Sequence, residues 1–144
     1  MTWYQNQLNF YHKFYRILWN TTYILLVRWI PNGMGFGWIR LILTLFGARV
    51  DSQSRIYPSA RIYMPKNLIM ASGACLAANS NCYNVDNVYL GRNVTISQFA
   101  VLLTASHNIY SIKHELITSP IKIDDNTWIA SYSILLKGIH IGNN

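Results

Sequence analysis

Two hydrophobic periodicities divide the chain near residue 50. Upstream, apolar residues recur at helical spacing: Leu8, Tyr11, Phe14 or Tyr15, Leu18, and Tyr23 or Leu25. The spacing predicts a helix over 8–30. Its most apolar stretch, Ile17 to Ile30, is 14 residues long and contains Asn20 and Arg28. A membrane span needs about 20 apolar residues, so this stretch falls short. Pro31 stops the helix, and Pro31-Asn32-Gly33 with Gly35 and Gly37 predicts a break. A second short helix is expected over 38–46, closed by Gly47 as its C-cap.

From Val50 onward the period is six. Val50, Ile56, Ile62, Met70, Leu76, Cys82, Leu90, Ile96, Leu102, Ile123, Ile129, Leu135 and Ile141 fall on it. Twelve of these 13 are Leu, Ile, Val or Met, types that fill 43 of the 144 residues; chance would place about four. The residue four later is usually small: Ser54, Ala60, Ala74, Ser80, Ala100, Ser106, Thr127 and Ser133. Lys66, Asp86, Val94 and Ile139 depart from this. Six is neither the helical nor the strand period. It is what a strand of about four residues and a two-residue corner produce, with the large and the small residue pointing inward. Three hexads close a coil, and stacked coils give three aliphatic ladders. The fold class expected is all-β: a parallel β-helix of about four coils over 50–144, preceded by a short α-helical segment over 1–49. The 21 residues from Leu102 to Ile123 interrupt the count, so a loop near 104–120 is expected to leave the prism. Long insertions in repeat arrays tend to carry function.

Composition sharpens this picture. Only 12% of the residues are charged, against about 25% in ordinary soluble domains. Such a surface points to cover by a partner subunit or by lipid. The net charge is +7, and residues 1–50 carry Lys13, Arg16, Arg28, Arg40 and Arg49 with no acid. That basic, aromatic third, with Trp3, Trp19, Trp29 and Trp38, suits anionic lipid or a phosphorylated ligand. A plain structural alternative is that the helices cover the open first coil. The basic residues form no run of the nucleic-acid-binding kind. Cys75 and Cys82 fit neither a disulfide framework nor a zinc knuckle and read as buried free thiols. Met1 to Phe10 lacks the basic-then-apolar pattern of a signal peptide.

Particular segments carry a resemblance to a known family. They are Phe46-Gly47-Ala48-Arg49-Val50, Arg55-Ile56-Tyr57-Pro58-Ser59-Ala60-Arg61-Ile62, Asn81-Cys82-Tyr83-Asn84, Ile96-Ser97-Gln98, Leu103-Thr104-Ala105-Ser106-His107, Leu116-Ile117-Thr118-Ser119-Pro120-Ile121 and Trp128-Ile129-Ala130. Together they resemble the left-handed β-helix acetyltransferases, especially the colanic-acid-biosynthesis type. They are also similar to the maltose, galactoside and nodulation O-acetyltransferases. The resemblance implies left-handed crossovers, acetyl-CoA as co-substrate, no metal, and a homotrimer with active sites between neighbouring prisms. It implies acetyl transfer to a sugar hydroxyl in exopolysaccharide or glycan assembly. A cytoplasmic location, with peripheral contact at the inner membrane face, is expected from the basic, aromatic N-terminal third. An amino-sugar N-acetyltransferase of the same fold, or a non-catalytic repeat domain binding membrane or partner, are the alternatives. Asn108 and Lys137, and Ala71, Ala77, Asp124 and Ala130 at hexad positions, depart from the family's usual residues. The family pattern also has at least one coil beyond Asn144, so the sequence reads as truncated.

The same resemblance assigns roles. His107 is the catalytic base, where composition alone allows a surface loop histidine. Ser131 offers a backbone N–H to the thioester, with Trp128 and Lys137 beside the CoA. Plain packing would account equally for Trp128, and solvation is the default reading of Lys137. Asn81, Tyr83, Asn84 and Asp86 bunch at one break and suit a sugar acceptor, or merely a polar turn. The γ-type carbonic anhydrases share the repeat and bind zinc through three histidines. Here His107 and His114 have no third histidine near them in the repeat.

Overall fold

A computed structural model describes residues 10–144; Trp3 and the first turn of the expected helix at Leu8 lie outside the described residues. Two helices, α1 (Phe10–Leu26) and α2 (Phe36–Leu45), precede a prism of short strands. α1 stops four residues before Ile30, in a turn where the Val27 and Arg28 amides both donate to the Tyr23 carbonyl. α2 begins two residues earlier than expected, behind Gly35 in the left-handed region. It closes as the sequence predicts: Gly47 has φ 86°, its amide donates to Thr44, and the Ala48 amide reaches back to Leu43.

Three parallel sheets make the prism. One contains β1 (Arg49–Val50), β4 (Leu68–Met70), β7 (Val88–Leu90), β12 (Ile121–Ile123) and β15 (His140–Ile141). The second contains β2 (Arg55–Ile56), β5 (Cys75–Leu76), β8 (Thr95–Ile96) and β13 (Trp128–Ile129). The third contains β3 (Arg61–Ile62), β6 (Asn81–Tyr83), β9 (Val101–Leu103) and β14 (Ile134–Leu136). The register reproduces the three ladders: Val50–Met70–Leu90–Ile123–Ile141, Ile56–Leu76–Ile96–Ile129 and Ile62–Cys82–Leu102–Leu135. Every ladder residue is buried except the terminal Val50 and Ile141, which are half-buried.

The corners explain the small residues and the exceptions. Ser54, Ala60, Ala74, Ser80, Ala100 and Thr127 are buried where the strands meet, and Val94 is buried there despite its size. Ser106 is exposed because the chain has already left the prism, and Thr104 takes the inner place. The third corner carries two extra residues in the first two coils. They bring in a second buried tier, with Met64 beside Asn84, and Leu68 beside Val88 and Ile121.

The helices complete the prism at its open end. In every coil, strand amides donate to carbonyls of the following coil, as Arg55 does to Ala74 and Arg61 to Ser80. Coil one therefore presents carbonyls with no preceding coil to satisfy them. Side-chain donors from the helices do so: Trp19 to Ile62 (2.8 Å), Tyr23 to Pro58 and Ala60, and Arg40 to Ser54 (2.7 Å). Trp19, Val27, Ile39, Ile42 and Leu43 join one continuous core with the ladders. The plain structural reading of the N-terminal third thus holds for its inner face. Its outer face leaves Phe14, Ile17, Leu25, Trp29 and Leu45 exposed, among others. Among the described residues no helix is long and apolar enough to cross a membrane.

Candidate functional site

The insertion after the third coil is a β-hairpin rather than an irregular loop. β10 (Ala105–His107) pairs antiparallel with β11 (Leu116–Thr118), with His107 opposite Leu116. Thr104 pins its base: the buried hydroxyl donates to the Tyr83 carbonyl (3.1 Å) and accepts from the Asp86 amide (2.9 Å). Across the neck, the Ser119 amide donates to the Thr104 carbonyl.

This anchoring sets the chemistry of His107. Its ring is exposed, and Nδ1 lies 2.7 Å from the His114 carbonyl oxygen. A carbonyl can only accept, so a neutral ring must carry its proton on Nδ1. Nε2 is then the basic nitrogen of the ring, the one a general base uses. His114, in the left-handed region at φ 46°, serves through its backbone. Among the described residues no group of three His, Cys, Asp or Glu side chains converges as metal ligands would.

The four polar residues of the coil-two break part company. Asn81 and Tyr83 point outward from β6 and are half-buried; the Tyr83 ring meets Tyr63 at 4.5 Å. Asp86 is half-buried and its carboxylate accepts from the Asn87 amide. Asn84 is a correction. It is fully buried, and its amide both donates to the Met64 carbonyl (2.8 Å) and accepts from the Met64 amide (2.9 Å). Its polar atoms are spent on holding coils together and offer no contact to a ligand.

Coil four carries the other three predicted residues. Trp128 is 72% exposed, and its indole N–H donates to the Ser97 hydroxyl at 2.7 Å. The ring is therefore held by one edge with its faces open, not packed away. Ser131 is exposed beside Gln98, and Lys137 is half-buried one residue before Gly138. Nearby stands a pair the sequence reading missed: Phe99 and Tyr132 stack at 5.0 Å with an 8° angle between rings. Both sit in the left-handed region, at φ 62° and 63°. Asn79, Asn93 and Asn126 take the same conformation at their corners, as asparagine readily does. Bulky aromatics there are strained, and the one available signal was an aromatic at a corner hexad position.

The cysteines offer no competing chemistry. Cys82 is wholly inside the prism, and burial pushes its thiol up to about 12. Burial also raises Cys75.

The fold defines a class. With TM-score 0.80, the structure matches a maltose O-acetyltransferase from Clostridium difficile 630 at 22% identity, covering 94% of this chain and 73% of that one. A hexapeptide-repeat-containing acetyltransferase from Vibrio cholerae matches with TM-score 0.78 at 18% identity, over 92% of this chain and 74% of that one. The same Vibrio enzyme, solved in complex with acetyl coenzyme A, matches with TM-score 0.74, again at 18% identity, over 89% of this chain and 69% of that one. The protein is a left-handed β-helix of hexapeptide repeats.

Sequence places it more narrowly. It is 29% identical over 126 residues to "Putative colanic acid biosynthesis acetyltransferase WcaF" of Escherichia coli K12, spanning 88% of this chain and 69% of that protein; the Shigella flexneri counterpart matches equally. No family model matches the chain. In sequence the chain is thus similar to acetyltransferases of colanic acid biosynthesis, and in fold to hexapeptide-repeat acetyltransferases.

Proposed function

We propose that the protein is an acetyl-CoA-dependent O-acetyltransferase that modifies a sugar hydroxyl during exopolysaccharide or glycan assembly. The observation that carries this reading is the His107 geometry: on an anchored hairpin its Nδ1–H is held by the His114 carbonyl, which makes Nε2 the basic nitrogen of the ring. His107 takes the hydroxyl proton as the oxygen attacks the acetyl carbonyl, and the CoA thiol leaves. With Cys82 sealed in the core, transfer is direct. The relatives' names support the sugar and the donor: colanic acid biosynthesis, maltose O-acetylation and an acetyl-CoA complex.

On this reading Trp128, Ser131 and Lys137 line the donor side and Asn81, Tyr83 and Asp86 the acceptor side. The chain works as a homotrimer. Support comes from the apolar outer positions Val101, Leu103, Ile134 and Leu136 on the third sheet, of which Ile134 and Leu136 are more than 60% exposed. It works in the cytoplasm, with the apolar outer side of α1 resting on the inner membrane face.

The test is an acceptor panel of neutral sugars and amino sugars, each incubated with acetyl-CoA and followed by thiol release and product mass. O-acetylated sugar is the expected product. Acetyl transfer confined to amines would replace this reading with the N-acetyltransferase, and no transfer at all would overturn it.

A further inference from the structure

Between α1 and the third sheet lies a cleft of about 440 Å³. Three arginines line it: Arg16 and Arg28 from the helical segment and Arg61 from β3. The whole chain has five acids, Asp51, Asp86, Glu115, Asp124 and Asp125, and none reaches this cleft. The ion pairs among the described residues all involve Asp124 or Asp125, so the three guanidinium groups have no counter-charge. Arg16 donates to the Tyr63 hydroxyl at 2.7 Å, yet its buried Nε finds no acceptor. Three uncompensated guanidinium groups around one concavity repel each other unless an anion joins them.

The rest of the lining is aromatic and polar. Tyr23 and Tyr83 supply half-buried aromatic surface and Asn81 an amide, Trp19 lies buried behind them, and the Arg16 guanidinium sits 3.6 Å from the centre of the Tyr63 ring. Arg61 and Asn81 also line a second cavity of about 390 Å³ that runs to the strained Phe99–Tyr132 stack. A cationic pocket opening onto an aromatic shelf suits a ligand with a phosphate at one end and a flat, hydroxyl-rich ring at the other. Guanidinium forks bind phosphate oxygens two at a time.

We propose that this cleft binds the acceptor through a phosphate, so that the substrate class is a sugar carried on a phosphate or diphosphate rather than a free sugar. The inference rests on the sugar acetyltransferase reading and names the acceptor of that site. Arg16, Arg28 and Arg61 hold the phosphate, and Tyr63, Tyr83 and Asn81 meet the sugar. Ile24, exposed on α1, borders the cleft, so a lipid tail on the phosphate would leave along the apolar helix face.

Calorimetric titration of the full chain, without acetyl-CoA, tests this with inorganic diphosphate, galactose, galactose 1-phosphate and galactosyl-diphospho-farnesol. Diphosphate should bind, and galactose 1-phosphate should bind at least ten-fold tighter than galactose. Arg28→Gln and Arg61→Gln should each weaken both phosphate probes by five-fold or more with an unchanged melting temperature, and Arg61→Lys should recover part of the loss. A further gain with the farnesyl probe assigns the source as lipid-linked, and its absence a soluble sugar phosphate. Three results would overturn the inference: no diphosphate binding, equal affinity in parent and arginine variants, or displacement of diphosphate by CoA. Turnover on free sugars without preference for phosphates sinks the inference alone. Phosphate-dependent binding without any acetyl transfer sinks the enzymatic reading alone.

Discussion

At the scale of single residues, the proton on His107 decides what the hairpin can do. With Nδ1–H committed to the His114 carbonyl, only Nε2 can accept a proton from an attacking hydroxyl. Removing that base should lower kcat by roughly 10²–10⁴. Steady-state kinetics of His107→Ala should show that loss, while CoA affinity by titration stays near the parent's. Near-parental turnover in the folded variant would remove the assignment. Cys82 marks the opposite extreme. Its thiol is raised to about 12 by burial, so thiolate is scarce at pH 8 and shielded by the ladders on either side. Iodoacetamide at pH 8 should leave Cys82 unmodified in the folded chain and label it fully in denaturant, read by peptide mass. Rapid labelling of the folded chain would contradict its place on the inner ladder.

At the scale of elements, the ladders and the helical cap are separately testable. Ile96 is fully buried at the centre of the second ladder, between Leu76 and Ile129. An aspartate there buries a charge with no partner. Ile96→Asp should cost several kcal/mol and unfold the prism, as thermal melting would reveal. A parent-like melt would refute the inward assignment. The cap depends on donors matched to a row of unsatisfied carbonyls. Trp19→Phe keeps most of the packing but leaves the Ile62 carbonyl without its N–H. The expected loss is about 1–3 kcal/mol, measured by denaturant unfolding. Gly91 shows how closely coils approach: a Cβ there would lie 2.6 Å from the Asp125 carboxylate and 2.8 Å from its backbone nitrogen. That is a contact the hexad pattern could not announce.

At the scale of the whole molecule, the surface remains unusually apolar after folding. Phe14, Ile17 and Leu25 run along the outside of α1, and residues 1–50 carry five cations and no acid. Each basic residue near an anionic leaflet contributes about 1 kcal/mol of attraction. Vesicle sedimentation should show binding to anionic vesicles that weakens with salt. Equal binding to neutral vesicles would refute the electrostatic part. Light scattering should report three chains per particle, and a stable monomer would refute the trimer.

The repeat was legible in the chain because a six-residue period leaves a mark at every coil: one aliphatic and one small side chain must face a narrow interior. All three ladders, their register and the Gly47 helix stop follow from that spacing and from local backbone preference. His107 was marked by its neighbours in a recognisable segment and by the break in the count beside it. What tertiary structure alone decided is whatever depends on partners distant along the chain. Asn84 looked like a ligand-facing polar residue until Met64, 20 residues away, turned out to hold its amide. The hairpin pairing, and with it the tautomer of His107, required β11 to fold back. The helices showed apolar spacing, but not that Trp19, Tyr23 and Arg40 would meet the orphan carbonyls of coil one. Periodicity records which side of an element faces inward; only the folded chain brings a donor to its acceptor, or three arginines around one cleft.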